Sequence, residues 1–351
     1  MKEKFGGISF DCWPTEYKFA QKRALKKFRN ENSREILFWL FVQFEVFRQW
    51  KNLKAYANKR GVYIIGDIPL YPAYDSADVW LNPRLFKLNP DRSLKKVAGV
   101  PPDYFSATGQ LWGNPVYRWH NHKKNNYEWW TERFRQAFEL YDVVRVDHFR
   151  GFESYYEIDA GEQTAVRGAW KPGPKKELFE AVEKKLGKLN LIAEDLGALN
   201  RGVYRLMAET GYPGMKVLQF AFDGERRNPH LPEYTTENSV CYTGTHDNDT
   251  IYGFIKGLQG DKLRIFEESL NRALKANCEV PAKGTAHMAD AIIRLAMKSR
   301  ARIAVVPVQD LLKLDSFARM NVPSKRDGNW RFRLKRPVSD KALSVLRRIT
   351  Q

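Results

Sequence analysis

Six short apolar runs, each ending in polar and chemically capable residues, limit what this chain can fold into more than any other feature. Val62 to Ile65 runs into Gly66-Asp67, and Val143 to Val146 into Asp147-His148. Leu191 to Ala193 runs into Glu194-Asp195, and Met215 to Phe222 forms a fourth run. Ser239 to Thr243 leads into Gly244-Thr245-His246-Asp247, and Ile303 to Val306 into Pro307 and then Gln309-Asp310. The runs are too short for helices and rich in branched side chains, so they read as strands. Helical patterns at 175–187, 200–210 and 261–276 lie between several of them. Strands alternating with helices imply a parallel sheet. Reactive residues at the carboxyl ends of the strands suit a (β/α)8 barrel, which gathers its site there. A doubly wound open sheet also binds ligands at strand ends. However, no G-x-G-x-x-G or phosphate-binding loop follows any strand.

The flanking segments are of other kinds. Residues 15–59 read as helix, with Asn32 and Glu35 spaced as an N-cap and its capping-box partner. The stretch Ile36 to Tyr56 carries a wide apolar stripe, and a core-packing helix ending at Gly61 is expected. The segment 69–140 is rich in turns, Pro, Trp and Tyr, and reads as an insertion over the active face. The organisation expected is a helical segment 1–60, a catalytic region 61–335 containing that insertion, and a C-terminal helix within 336–351.

Three of the strands end in acids: Asp147, Glu194 and Asp247. Cleaving a glycosidic bond with retention takes two carboxyl groups about 5–5.5 Å apart, one attacking the anomeric carbon and one moving a proton. A third can stabilise charge developing on the sugar ring. Each acid taken singly reads equally well as a cap for the helix that follows. Their neighbours favour chemistry. Arg145 lies two residues before Asp147, so both side chains leave the strand on one face. A guanidinium there would favour the carboxylate that a nucleophile needs. The charge of Asp147 would in turn raise the pKa of Glu194. His246, beside Asp247, can donate to a sugar hydroxyl.

These segments resemble a known family. V-R-V-D-H-F-R-G (144–151), I-A-E-D-L-G (192–197) and G-T-H-D-N-D-T (244–250) look like the strand-4, strand-5 and strand-7 signatures of glycoside hydrolase family 77. This is the amylomaltase family of the α-amylase clan. G-D-I-P-L-Y (66–71) with D-S-A-D-V-W (75–80) resembles its strand-3 region. A-G-V-P-P-D-Y-F-S-A-T-G-Q-L-W-G-N-P (98–115) resembles the long loop over its site. V-P-V-Q-D-L-L (306–312) and A-R-M-N-V-P (318–323) resemble its strand-8 end.

The resemblance implies an α/β fold of the (β/α)8 TIM-barrel type, incomplete, with strands 3–8 present. It implies 4-α-glucanotransferase activity on maltooligosaccharides and starch-type glucans. Asp147 would be the nucleophile, Glu194 the general acid/base and Asp247 the transition-state stabiliser. Arg145 and His246 would support the donor sugar, and Asp67, in the first conserved region of the clan, would also bind substrate. Tyr104, Phe105 and Trp112 would shape the glucan groove. No metal and no organic cofactor is implied. Family members extend further at the N-terminus, so a complementing N-terminal segment would supply the first two strands. A second expectation is a truncated fragment that is inactive or only binds sugar without turning it over.

Composition bears on the remaining function classes. The formal net charge is +18, a balance that can attract nucleic acid. The basic residues are spread as pairs such as Lys95-Lys96 and Lys184-Lys185, without a recognition module, so a solvated basic surface is expected rather than a nucleic-acid partner. The cysteines, Cys12, Cys241 and Cys278, are odd in number and widely spaced, as in a reducing compartment. Met1 to Trp13 has no apolar signal core, and Ile36 to Val42 is too short to span a bilayer. A cytoplasmic protein with no membrane partner is expected. His120 and His122 are spaced like a metal pair but lack a third ligand, and a surface turn is expected there.

Overall fold

The computed structural model describes residues 1–350 apart from 103–105, 198, 324 and 326, and leaves out the side chains of 341, 345 and 348–350. The chain divides into two compact units, Met1–Tyr212 and Pro213–Gln351.

The first unit starts with three helices, α1 (Thr15–Lys18), α2 (Lys22–Glu31) and α3 (Ser33–Asn58). The sequence reads as one helix here, but Ala20 takes a left-handed φ of 50° and ends the first turn. Asn32 has φ −120° and ψ 27°, and its side-chain amide donates to the Phe28 carbonyl at 2.8 Å. It therefore closes α2 instead of capping α3, and the expected capping box does not form. The expected core-packing role of α3 does not hold either, since none of its residues is buried. Leu37, Phe38, Trp39, Leu40, Phe41 and Phe44 are each about half exposed or more. Only one flank is tied down. Trp50 donates to the Leu140 carbonyl at 2.8 Å, Lys54 to that of Tyr141 at 2.9 Å, and Asn58 to Asp142 at 3.0 Å.

After α3 come β1 (Ile65–Ile68), α4 (Ala77–Leu81), β2 (Lys96–Val100) and β3 (Gln110–Pro115). They are followed by α5 (Trp119–Lys124), α6 (Glu128–Leu140) and β4 (Val143–Val146). The unit ends with β5 (Ser154–Asp159), β6 (Gly168–Pro172), α7 (Lys176–Leu186), β7 (Leu191–Ala193) and α8 (Arg201–Thr210). β1, β4 and β7 form a parallel sheet in that order, with Asp67 opposite Arg145 and Arg145 opposite Ile192. The first strand thus starts three residues later than the apolar run, and Val62 and Tyr63 remain exposed.

α6 is the crossover between β1 and β4. Trp130, Phe134 and Ala137, spaced to share one helix face, are buried. Burial of such an aromatic side chain contributes about 1.5–3 kcal/mol. Phe149, Phe152 and Phe179 join the same core. A second sheet, order β3-β2-β5-β6 and antiparallel throughout, combines part of the 69–140 segment with residues 154–172. His122 is fully buried in α5 with its Nε2 3.2 Å from the Leu85 carbonyl, and burial lowers its pKa to about 4. It is a packed structural residue, not part of a surface turn.

The second unit contains β8 (Gly214–Val217), β9 (Ser239–Tyr242), α9 (Ile251–Gly257), α10 (Gly260–Ala276) and α11 (Thr285–Met297). β10 (Ile303–Val305), α12 (Val308–Leu311) and α13 (Asp340–Thr350) complete it. Its sheet is parallel, in the order β10-β9-β8. Thr250 caps α9 by accepting from the Gly253 N–H at 3.0 Å. Ile292, Leu295 and Ala296 of α11 pack with Phe266, Leu270 and Leu274 of α10. The six expected strands are therefore present as two parallel sheets of three, and no closed barrel forms among the described residues.

Candidate active site

In the first unit the parallel register places Val146 opposite Ala193, so Asp147 and Glu194 each stand one residue beyond adjacent strand ends. The ladder continues past both strands. Asp147 N–H donates to the Ile68 carbonyl at 3.0 Å, and Glu194 N–H to that of Val146 at 3.1 Å. Both acids are thus fixed through their backbones.

Arg145 is the hub of the cluster. Nη1 donates to Asp67 Oδ2 at 2.5 Å and Nη2 to Asp147 Oδ1 at 3.0 Å. Burial opposes its charge, but the carboxylates of Asp67, Asp147 and Glu194 outweigh that and hold its pKa above the ordinary value. One guanidinium fork therefore orients two carboxylates at once, which a lysine could not do.

Glu194 is held by the backbone. His148 N–H donates to Oε2 and Leu196 N–H to Oε1, both at 2.7 Å. Burial, and then the charge of Asp147, raise its pKa to about 7. Arg145 and the two N–H donors pull the other way without prevailing. At neutral pH this carboxyl exists in both protonation states, as a group that gives and then takes a proton requires.

Sequence reasoning did not single out His148. It sits at φ 49°, ψ 49°, in the left-handed region, and this conformation aims its N–H at Glu194. Burial, reinforced by the charge of Arg150, lowers its pKa to about 3 and keeps the ring neutral. Trp112 packs edge-on against that ring at 4.8 Å and is 37% exposed, leaving an aromatic surface open to solvent. Tyr104 and Phe105 lie outside the described residues.

The second unit carries its own acid. Asp247 Oδ1 accepts from Asn321 Nδ2 at 2.5 Å, and its carbonyl accepts from Arg319 Nη2 at 2.6 Å. His246 Nε2 stands 3.5 Å from Asp247 Oδ2, and its ring lies 5.1 Å from that of Trp330. The His246 carbonyl also accepts from Asn321 N–H at 3.1 Å. Asn321 and Arg319 fall in the A-R-M-N-V-P motif, whose letters gave no sign that they would hold Asp247. Asp310 is structural: it accepts from Thr243 Oγ1 at 2.6 Å and from the Ile251 N–H at 2.8 Å at the start of α9.

Paired carboxyls on adjacent parallel strands, one bound by a guanidinium and one poised near neutrality, are the equipment of an enzyme working on glycosidic bonds. The family model described as 4-alpha-glucanotransferase, of glycoside hydrolase family 77, matches residues 1–339, and the chain belongs to that family. It is 44% identical to a 4-alpha-glucanotransferase of Clostridium butyricum over 336 residues, covering 95% of this chain and 67% of the relative. It is 46% identical over 336 residues to a 4-alpha-glucanotransferase of a Synechocystis species, covering 95% of this chain and 65% of the relative. The amylomaltase from Streptococcus agalactiae, solved in complex with acarbose, superposes with a TM-score of 0.92 at 36% identity. That match covers 99% of this chain and 69% of the other. The chain thus spans about two thirds of the length of the relatives it matches, and its α/β fold matches that of the amylomaltase.

Proposed function

We propose that this chain carries the catalytic apparatus of a 4-α-glucanotransferase, which moves α-1,4-glucan segments between maltooligosaccharides by double displacement with retention. The observation that carries this reading is Glu194, raised to about pH 7 beside Asp147 and Arg145. An Asp147 carboxylate oxygen attacks the anomeric carbon of the donor, and the glycosidic C–O bond breaks. Glu194 gives its proton to the departing oxygen, so the first fragment leaves as an alcohol. The glycosyl group is then an ester of Asp147. Glu194, now ionised, takes the proton from the 4-hydroxyl of an acceptor glucan. That oxygen attacks the anomeric carbon and frees Asp147. Water in place of the acceptor gives hydrolysis.

In this reading Asp247, held by Asn321, stabilises the positively charged transition state. His246 donates to donor hydroxyls, Asp67 orients Arg145, and Trp112 offers a face to the glucan. The amylomaltase solved with acarbose, a match over nearly the whole chain, supports an oligosaccharide ligand. The catalytic region is 61–335. The free sulfhydryls of Cys12, Cys241 and Cys278, and the lack among the described helices of one long and apolar enough to cross a membrane, support a cytoplasmic setting.

A finer part of the proposal concerns α3. Its half-exposed apolar face lies just before β1, which is an edge strand in its sheet. About a third of the relatives' length has no counterpart here. An additional polypeptide segment that pairs with the β1 edge and covers α3 completes the site. The same exposed edge supports a second reading, in which the chain alone binds glucan without turnover. Incubation with maltotriose decides between them. Longer and shorter products that vanish in Asp147→Asn support transfer by the chain. Maltotriose binding without products, unchanged when the complementing segment is added, supports the second reading.

A further inference from the structure

The first unit holds a basic cavity that shares no residue with the carboxylate site. Its volume is about 490 Å³, within the range of about 300–1,000 Å³ typical of small-molecule sites. Arg84, Arg92, Arg118 and His120 line it, and no carboxylate does. Among the described residues, none of the three arginines forms an ion pair with an acid. Asp91, next to Arg92 in sequence, is occupied by the N–H and hydroxyl of Ser93 at 3.1 and 2.6 Å.

The three cations are brought together by fixed backbone. Arg92 takes a left-handed φ of 74°, a strained conformation for a residue with a side chain. Its N–H donates to the Asn89 carbonyl at 3.0 Å, its carbonyl accepts from Tyr74 Oη at 2.9 Å, and its guanidinium lies 5.3 Å from the Phe19 ring. Arg118 N–H donates to the Leu85 carbonyl at 2.8 Å, and Asn121 ties down the Arg84 carbonyl at 2.6 Å. Burial and the like charge of Arg84 both hold the pKa of Arg92 below its ordinary value. Like charges held together without a counter-ion are costly unless an anion joins them.

We propose that this cavity binds the phosphate group of a small phosphorylated sugar. Planar guanidinium forks match phosphate oxygens in pairs, which lysines do not. Phosphate alone fills only part of the volume. The rest of the wall combines Phe19, Pro83, Leu88 and Pro90 with the amides of Asn89 and Asn121. Small apolar faces beside amides suit a ring that carries both C–H faces and hydroxyls.

The test is isothermal titration of the chain at low salt with glucose 6-phosphate, inorganic phosphate and glucose. It needs no turnover, so its outcome is independent of the transferase reading. Glucose 6-phosphate is expected to bind once per chain, at least tenfold tighter than inorganic phosphate. Arg92→Gln and, at a more exposed position, Arg84→Gln are each expected to weaken it tenfold or more with the circular dichroism spectrum unchanged. Lys188→Gln should leave it unaltered, and glucose should show no binding that Arg92→Gln changes. Absence of glucose 6-phosphate binding overturns the proposal, as does binding that survives both arginine variants. Equal affinity for inorganic phosphate also overturns it, by removing the sugar.

Discussion

Glu194 and Asp147 are both acids at strand ends, and their surroundings give them different work. Asp147 faces the fork of Arg145, while Glu194 is lifted to about pH 7 by burial and by its neighbour's charge. General acid–base catalysis is worth about 10²–10⁴-fold, so Glu194→Gln is expected to slow maltotriose disproportionation by that factor. In the unmodified protein kcat/KM should fall as pH rises through about 7, because the protonated form is lost. Glu194→Gln should abolish that limb of the profile. The same shift bears on stability. A carboxyl raised from 4.5 to about 7 on folding contributes stability that is full below pH 4.5 and is lost as pH rises through 7. Thermal melts of Glu194→Gln against the parent should therefore move in the variant's favour between pH 4.5 and pH 8. An unchanged difference would show that the shift is absent. Residue types and spacing pointed to these acids. The left-handed His148, whose N–H holds Glu194, and the side chain of Asn321, which holds Asp247, were hidden because they depend on backbone turns and on chain 74 residues away.

At the scale of elements, β1 and α3 differ in how tightly they are constrained. Gly66 in β1 lies under the Tyr141 ring, and a Cβ there would overlap it. Gly66→Ala is expected to destabilise the fold by about 1–3 kcal/mol, measured by denaturant unfolding. The opposite holds for α3, whose apolar residues touch little. Phe41→Lys and Phe44→Lys should leave the melting temperature nearly unchanged, since such surface changes usually stay within about 0.5 kcal/mol. They should reduce self-association in sedimentation, because exposed apolar patches of this kind drive association. The strands β4 and β7 were legible from branched residues alone. The antiparallel sheet of β2, β3, β5 and β6 was not, because its pairing joins segments from both sides of β4.

For the whole molecule, the proposed completing segment would make activity depend on what covers the edge of β1. If a complementing segment completes the site, adding it to the chain should raise maltotriose disproportionation, and Phe41→Lys should blunt the gain. A rate unaffected by the segment would remove that part of the proposal. An unpaired edge exposes a row of N–H and C=O groups, so the chain alone should also be more prone to aggregate than the pair.

Sequence by itself determined the six parallel strands, the acids that end them and the family to which the chain belongs. Those follow from local patterning and from residue types that the chemistry cannot exchange. Tertiary structure alone decided that Glu194 is buried, which with its neighbour's charge brings it near neutrality, that Asn321 holds Asp247, that α3 shows its apolar face, and that three arginines converge on one cavity. Burial, hydrogen bonding and charge clustering are set by residues distant in the chain, and no local stretch of sequence contains them.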